Sequence, residues 1–312
     1  MLVNRGGLEN KGLEIGLDIT AIDKGDFNLS FGGNISFNKS KIENLGLVPG
    51  DILMSDGMGG YANQQFASYL GNVPSRGNSI KFPINIFMEG HEVALFYGWK
   101  TDGLFQSGDT MYPINGSMSQ PGDIKVLDLN GDGVVDLADR TVIGNPNPDY
   151  VYGFNVNLSY KGFSMRALFN GVEGNEIVNG NYYRFGWAEG TYRNILADAW
   201  YDRWTPDNTS AAYPRLGYSA NLFGALMDRV IEDGSYLRLK SITLNYDIPL
   251  SNNNFIDAAN VYITGSNLFT WTDYSGYDPE ITTFLWDGLL QGTDWNNKPN
   301  SRSVLVGVNL NF

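Results

Sequence analysis

The chain has 312 residues, 42% hydrophobic and 13% aromatic, with 38 glycines and a formal net charge of −13. That charge repels phosphate backbones and argues against nucleic acid as a partner. The lack of cysteine excludes disulfides and thiolate metal sites. The single histidine, His91, stands in Glu89-Gly90-His91, company that predicts a turn residue and not a triad or an imidazole metal centre.

Glycine and aromatics, with recurrent Asn, Ser and Thr, suit strands and turns better than helices. Alternation starts early, with Leu13, Ile15, Leu17 and Ile19 opposing Glu14, Gly16, Asp18 and Thr20. It continues with Phe27, Leu29, Phe31, Ile35 and Phe37 against Asn28, Ser30, Gly32, Asn34 and Ser36, and again from Tyr150 to Tyr160. At the end, Val304, Val306, Val308, Leu310 and Phe312 oppose Ser303, Leu305, Gly307, Asn309 and Asn311. The pattern predicts nine strands, over 11–22, 26–40, 79–88, 91–101, 150–160, 163–171, 235–248, 259–270 and 302–312. A period of two sustained over about nine to twelve residues is long for a globular strand and right for a tilted membrane-spanning one. No apolar run reaches the roughly 18 residues of a transmembrane helix. A short helix is predicted over 193–204, where Ile195, Leu196, Ala199 and Trp200 share a face.

The connections alternate in length. Asp23-Lys24-Gly25, Glu89-Gly90, Lys161-Gly162 and 249–258 are short, whereas 41–78, 102–149, 172–234 and 271–301 are long. In an up-and-down barrel successive connections fall on opposite rims, so every long one lies on the same side. A soluble sandwich or barrel shares the period but does not explain that asymmetry. The expected fold is therefore all-β: a partial transmembrane antiparallel β-barrel of about nine strands, with long extracellular loops and Phe312 at the periplasmic rim. Bacterial barrels close with an even number of strands, and an open edge in lipid is costly, so further strands are expected before Met1. The opening Met1-Leu2-Val3-Asn4-Arg5-Gly6-Gly7 has no apolar core of a signal peptide, which fits a chain beginning inside a longer one.

Within the 102–149 connection, Asp128 to Asp139 has the spacing of a twelve-residue calcium loop. Asp128, Asn130 and Asp132 would offer side-chain oxygens, Gly133 the sharp turn and Val134 its carbonyl. Asp136 holds the ninth position, and Asp139 stands where glutamate is usual. Carboxylates so crowded repel one another unless a cation sits among them, and calcium is the expected cofactor. Asp278, Glu280 and Asp287 lie in a long connection with nothing in the sequence to pair them, so no catalytic residue and no enzymatic activity is expected. Trp99, Trp187, Trp200, Trp204, Trp271, Trp286 and Trp295 all lie in long connections or at strand ends beside them. They suit a loop core, an interfacial belt or stacking on sugars.

Several ordered stretches carry a resemblance. They are Leu8-Glu9-Asn10-Lys11-Gly12-Leu13-Glu14, Phe96 to Phe105, Pro121-Gly122-Asp123-Ile124 leading into Asp128–Asp139, and Ile143 to Asp149. Then come Ser235-Tyr236-Leu237-Arg238-Leu239-Lys240, Asn267-Leu268-Phe269 and Tyr277-Asp278-Pro279-Glu280. Together, over residues 1–312, they resemble the C-terminal part of the barrel of SusC/RagA-like TonB-linked outer-membrane transporters. The resemblance implies a SusD-like lipoprotein partner, energy from the TonB system through a plug and TonB box not visible here, and import of oligosaccharides or peptides. A non-transporting outer-membrane binding barrel and a soluble carbohydrate-binding β protein are the alternatives.

Overall fold

Seven antiparallel strands make one continuous meander in which each strand pairs with its neighbours in sequence. The computed structural model describes residues 6–45, 66–69, 84–186, 194–217, 226–250, 255–280, 290–295 and 297–312. The strands are β1 (Gly7–Lys24), β2 (Phe27–Asn44), β3 (Tyr150–Tyr160), β4 (Phe163–Glu173), β5 (Tyr236–Asp247), β6 (Ala258–Thr272) and β7 (Ser303–Asn311). β1 and β2 run to 18 residues each, well beyond the five or six usual for globular strands.

Register puts the two chemistries on opposite faces. One row crosses six strands through Leu29, Leu158, Met165, Leu244, Ile263 and Val306. The next row, on the other face, runs Ser30, Asn157, Arg166, Thr243 and Thr264, with the two threonine hydroxyls 2.9 Å apart. The apolar face is not covered by protein: Leu17 is 61% exposed and Val306 70%. So much aliphatic surface left bare on regular strands suits lipid, not water. Aromatic residues mark both ends of this face. Near the short turns Phe27 meets Tyr160 and Phe163 meets Tyr246, at ring separations of 6.1 and 4.3 Å. Toward the other end Phe37 lies 5.6 Å from Tyr150. The ten-residue step from Phe27 to Phe37 spans about 33 Å of strand, or about 25 Å across a wall tilted by ~40°. That is the height of the apolar band of an outer-membrane barrel.

The short connections share one rim. Lys161 and Gly162 both have positive φ, 46° and 84°, as a two-residue type I′ hairpin requires. Asp257 donates its N–H to Asn311 O at 2.8 Å, and the Phe255 and Phe312 rings lie 5.4 Å apart, so the end of β7 sits on the same rim as the β5–β6 connection. The long connections, 45–149, 174–235 and 273–302, gather on the opposite rim and hold the buried core. Ile84, Phe96, Trp99, Phe105 and Ile124 come from the first, Val178, Tyr183, Trp204 and Met227 from the second, and Leu290 and Trp295 from the third.

Two expected wall strands are corrected. Residues 85–88 and 95–98 pair instead within a separate small sheet with 66–69 and 141–144, and 79–83 lie outside the described residues. Ile84, Ile86 and Phe96 are fully buried, and so is the intervening Asn85, whose amide donates to Ala94 O at 2.7 Å. A strand buried on both faces belongs to a protein core, not to a barrel wall. Ala94 (φ 57°) breaks the expected 91–101 strand. Because two strands drop out together, the alternation of rims is unchanged. The helix expected over 193–204 is shorter, Ala197–Tyr201. His91 follows the 89–90 turn and its carbonyl accepts from Ile42 N–H at 2.9 Å, which docks that turn on the end of β2.

Replacing Val156, midway between the aromatic ends of the apolar face, by arginine should cost about 2–4 kcal/mol, whereas Thr243→Ser on the polar face should stay within about 0.5 kcal/mol. Denaturant unfolding of the protein in lipid vesicles reads both.

Candidate functional site

The body of long connections gathers buried polar groups, Asn85, Asp123, Asn179 and Asp294 among them, and is held to the wall by charge. β5 carries one extra residue, Lys240, between the pairs Leu168–Ser241 and Phe169–Leu239. Lys240 in the bulge and Arg238 just before it both reach the third connection. Arg238 pairs with Asp278 and, at 2.7 Å, with Glu280; Lys240 Nζ lies 2.9 Å from Glu280. Asp278 also accepts the N–H groups of Glu280 and Asn300 at 3.0 Å each. Burial pushes the Asp278 carboxyl up, but the Arg238 hydrogen bond and these two N–H groups outweigh it and hold the group below the usual carboxylate range. Asp278 and Glu280, which the sequence leaves unpaired, are thus bound to a single other stretch of the same resemblance, Ser235–Lys240. Asp287 lies outside the described residues.

A second buried junction joins the third connection to the second. Residues 293–294 pair in parallel with Val178–Asn179, which in turn pairs with 231–233. Asp294 is buried; Tyr274 O–H donates to it at 2.8 Å, and its other oxygen has no partner. Burial raises its pKa, the Tyr274 hydrogen bond opposes this, and the nearby Asp278 and Glu232 charges add to the rise. Tyr274 itself is pushed far up, first by burial and then by Asp294. No sequence pattern marks Tyr274 or Asp294; only the fold brings them together.

The Asp128–Asp139 stretch bends as its spacing predicts. Gly131 and Gly133 take φ of 75° and 85°. Asp128 accepts the N–H groups of Gly131 and Gly133 at 2.7 and 2.8 Å. Asn130 accepts from Asp132 and Asp132 from Val134, each at 2.9 Å, and Asp136 from Ala138 at 2.7 Å. Buried Asp139 closes the loop by accepting from Leu129 and Asp136, each at 2.8 Å. The donors are hard oxygens of the type calcium takes, and each carboxylate keeps lone pairs beyond these bonds. Among the described residues, however, no three acidic or imidazole side chains converge as a formed metal cage. The loop is anchored, since Trp99 Nε1 donates to Asp136 O at 2.9 Å and Val135 is fully buried.

The tryptophans divide. Trp99, Trp204 and Trp295 are core, Trp200 and Trp271 are about half exposed, and Trp187 and Trp286 lie outside the described residues. Trp200 stands under the Arg203 guanidinium, 4.3 Å from ring centre to charge.

No family model matches the sequence. The chain is 33% identical, over 99% of its length, to TonB-dependent receptor P3 of Formosa agariphila. By sequence it matches one segment of the TonB-dependent receptors. TonB-dependent receptor SusC of Bacteroides thetaiotaomicron is 28% identical over the whole chain. Among solved structures, the RagAB peptide transporter superposes on 98% of the chain with a TM-score of 0.71 at 24% identity, a likeness of fold. The chain spans 29% of the length of receptor P3, 27% of SusC and 29% of the RagAB chain.

Asp278→Ala leaves Arg238 buried without its closest partner and should cost about 3–5 kcal/mol, measured as denaturant unfolding of the third connection. The two buried acids respond to pH in opposite senses. The pKa of Asp278 is lowered, so its stabilisation is present above the ordinary carboxylate pKa and is lost as pH falls through its depressed value. The pKa of Asp294 is raised, so stability falls as pH rises from the ordinary value through the raised one. Asp294→Asn keeps an acceptor for Tyr274 and should abolish that upper slope in melting temperature against pH.

Proposed function

We propose that the chain forms part of the wall and the mouth of an outer-membrane importer for oligosaccharides or peptides, driven through TonB and capped by a SusD-like lipoprotein. The observation that carries this reading is the division of the chain into an apolar-faced wall and a single body of connections at one rim. The bare aliphatic face of β1 and β7 favours it over a soluble carbohydrate-binding protein. The TonB-dependent receptors among the relatives support the TonB coupling, and the likeness to the RagAB peptide transporter supports a peptide as one class of cargo. Within this reading β2 to β6 present Asn, Ser, Thr and Arg to the transport path, and the connections make the surface on which cargo and lid are received. No residue is assigned a catalytic part. Cells producing the protein should accumulate labelled oligosaccharide or peptide, and deletion of TonB should abolish that uptake. Uptake that persists without TonB would overturn the proposal.

We also propose calcium as the counter-ion of the Asp128–Asp139 loop, with Asp128, Asn130, Asp132, the Val134 carbonyl, Asp136 and Asp139 as its oxygen donors. The spacing, the two left-handed glycines and the donor chemistry support it. Calcium would offset the carboxylate repulsion and stiffen the body around Trp99. Titration calorimetry with calcium chloride should give heat with the natural sequence and none with Asp128→Ala. Absence of heat from both would remove calcium from the account.

A further inference from the structure

A cleft of about 490 Å³ opens between the upper part of β6 and the two ends of the third connection, a size within the roughly 300–1,000 Å³ of small-molecule sites. Its charged lining is unequal. Arg238 and Asp278 are already committed to each other, and Asp278 further accepts two N–H groups. Arg302 also lines the cleft, is exposed, and makes no ion pair among the described residues. An unmatched guanidinium in a chain of net charge −13 marks a place for an anion.

Two polar atoms of the lining residues are also unsatisfied. Asn267 Oδ1 is buried without a hydrogen-bond partner, and so is Nε of Arg238, a residue only 2% exposed. Buried polar groups are normally paired, so an acceptor and a donor left over at one cleft call for a ligand that supplies both. A sugar hydroxyl does so, since it donates and accepts from one atom. The Thr270 hydroxyl lines the same space, and Tyr277, 70% exposed, offers an aromatic face at the rim. Among the described residues no aliphatic side chain other than two prolines lines the cleft, which gives a peptide's apolar side chains little to bury against.

From these groups we propose that this cleft binds an acidic sugar unit, with Arg302 meeting its carboxylate, Tyr277 lying against the ring, and Asn267 and Arg238 meeting its hydroxyls. This deepens the importer reading, on which its place in transport rests, by naming the substrate class. The test is titration calorimetry of the protein in detergent micelles with a galacturonate trimer, a neutral maltotriose and a triglutamate peptide. The galacturonate trimer should bind most tightly. Arg302→Gln should weaken it roughly 10- to 100-fold, the value of one charge-assisted hydrogen bond, while leaving maltotriose unchanged, and Arg302→Lys should recover part of the loss. Tyr277→Ala should weaken both sugars. Both side chains are exposed, so neither change threatens the fold. An Arg302→Gln protein that binds the acidic trimer as well as the natural one does would overturn the site, and tighter binding of triglutamate would overturn the sugar assignment. Binding is read without TonB, so failure of the cleft leaves TonB-dependent uptake intact, and failure of uptake leaves the binding result standing.

Discussion

Everything in this molecule depends on the ladder of backbone hydrogen bonds that joins β1 to β7. A strand whose outer face meets hydrocarbon has no water to satisfy its N–H and C=O groups, so each must find a neighbouring strand. The meander does this with the shortest possible links at one rim, the Lys161-Gly162 hairpin being the clearest. Once the wall is fixed this way, the usual placing of hydrophobic residues is reversed within it. Leucine, valine and isoleucine go outward, and asparagine, serine and threonine go inward. Among the described residues, the buried hydrophobic cluster then lies where water returns, in the three long connections.

Wall and connections meet through a local irregularity. A regular β5 would send Arg238 and Lys240 along one face but at fixed spacing; the bulge at Lys240 changes the local bend so that both converge on Glu280. The cost of burying Arg238 is offset by Asp278, which is itself held by two N–H groups. An arrangement in which every charge has a fixed partner is rigid. It sets the third connection at one height over the wall, and with it the cleft beside β6.

The wall was largely legible in the sequence, and for a physical reason. Only one face of a barrel strand is apolar, so a period of two survives in the residues, and 150–160 is recovered to its last residue. The failures share one cause. Residues 85–88 and 95–98 are buried on both sides, so their apolar residues report burial and not a face turned to lipid. The glycine spacing of the Asp128–Asp139 bend was also legible, because left-handed backbone has a residue signature. The pairing of Arg238 with Asp278 was not, because 40 residues separate the partners and nothing local records their meeting. Tyr274 and Asp294 were silent for the same reason.

The shared core of the three connections also bears on how such a mouth can change over generations. Trp99 donates its backbone N–H to Leu226 O at 2.9 Å, Trp204 Nε1 reaches Gln106 at 3.1 Å, and 293–294 pairs with Val178–Asn179. A connection transplanted alone from a relative would arrive without its opposite packing surface. Diversification at this rim must therefore proceed by small compensated steps or by exchange of all three connections as a block. On the opposite rim the tie between turns is local, with Asp247 donating its N–H to Gly162 O at 2.9 Å, so a change there need be matched only by the adjacent strand.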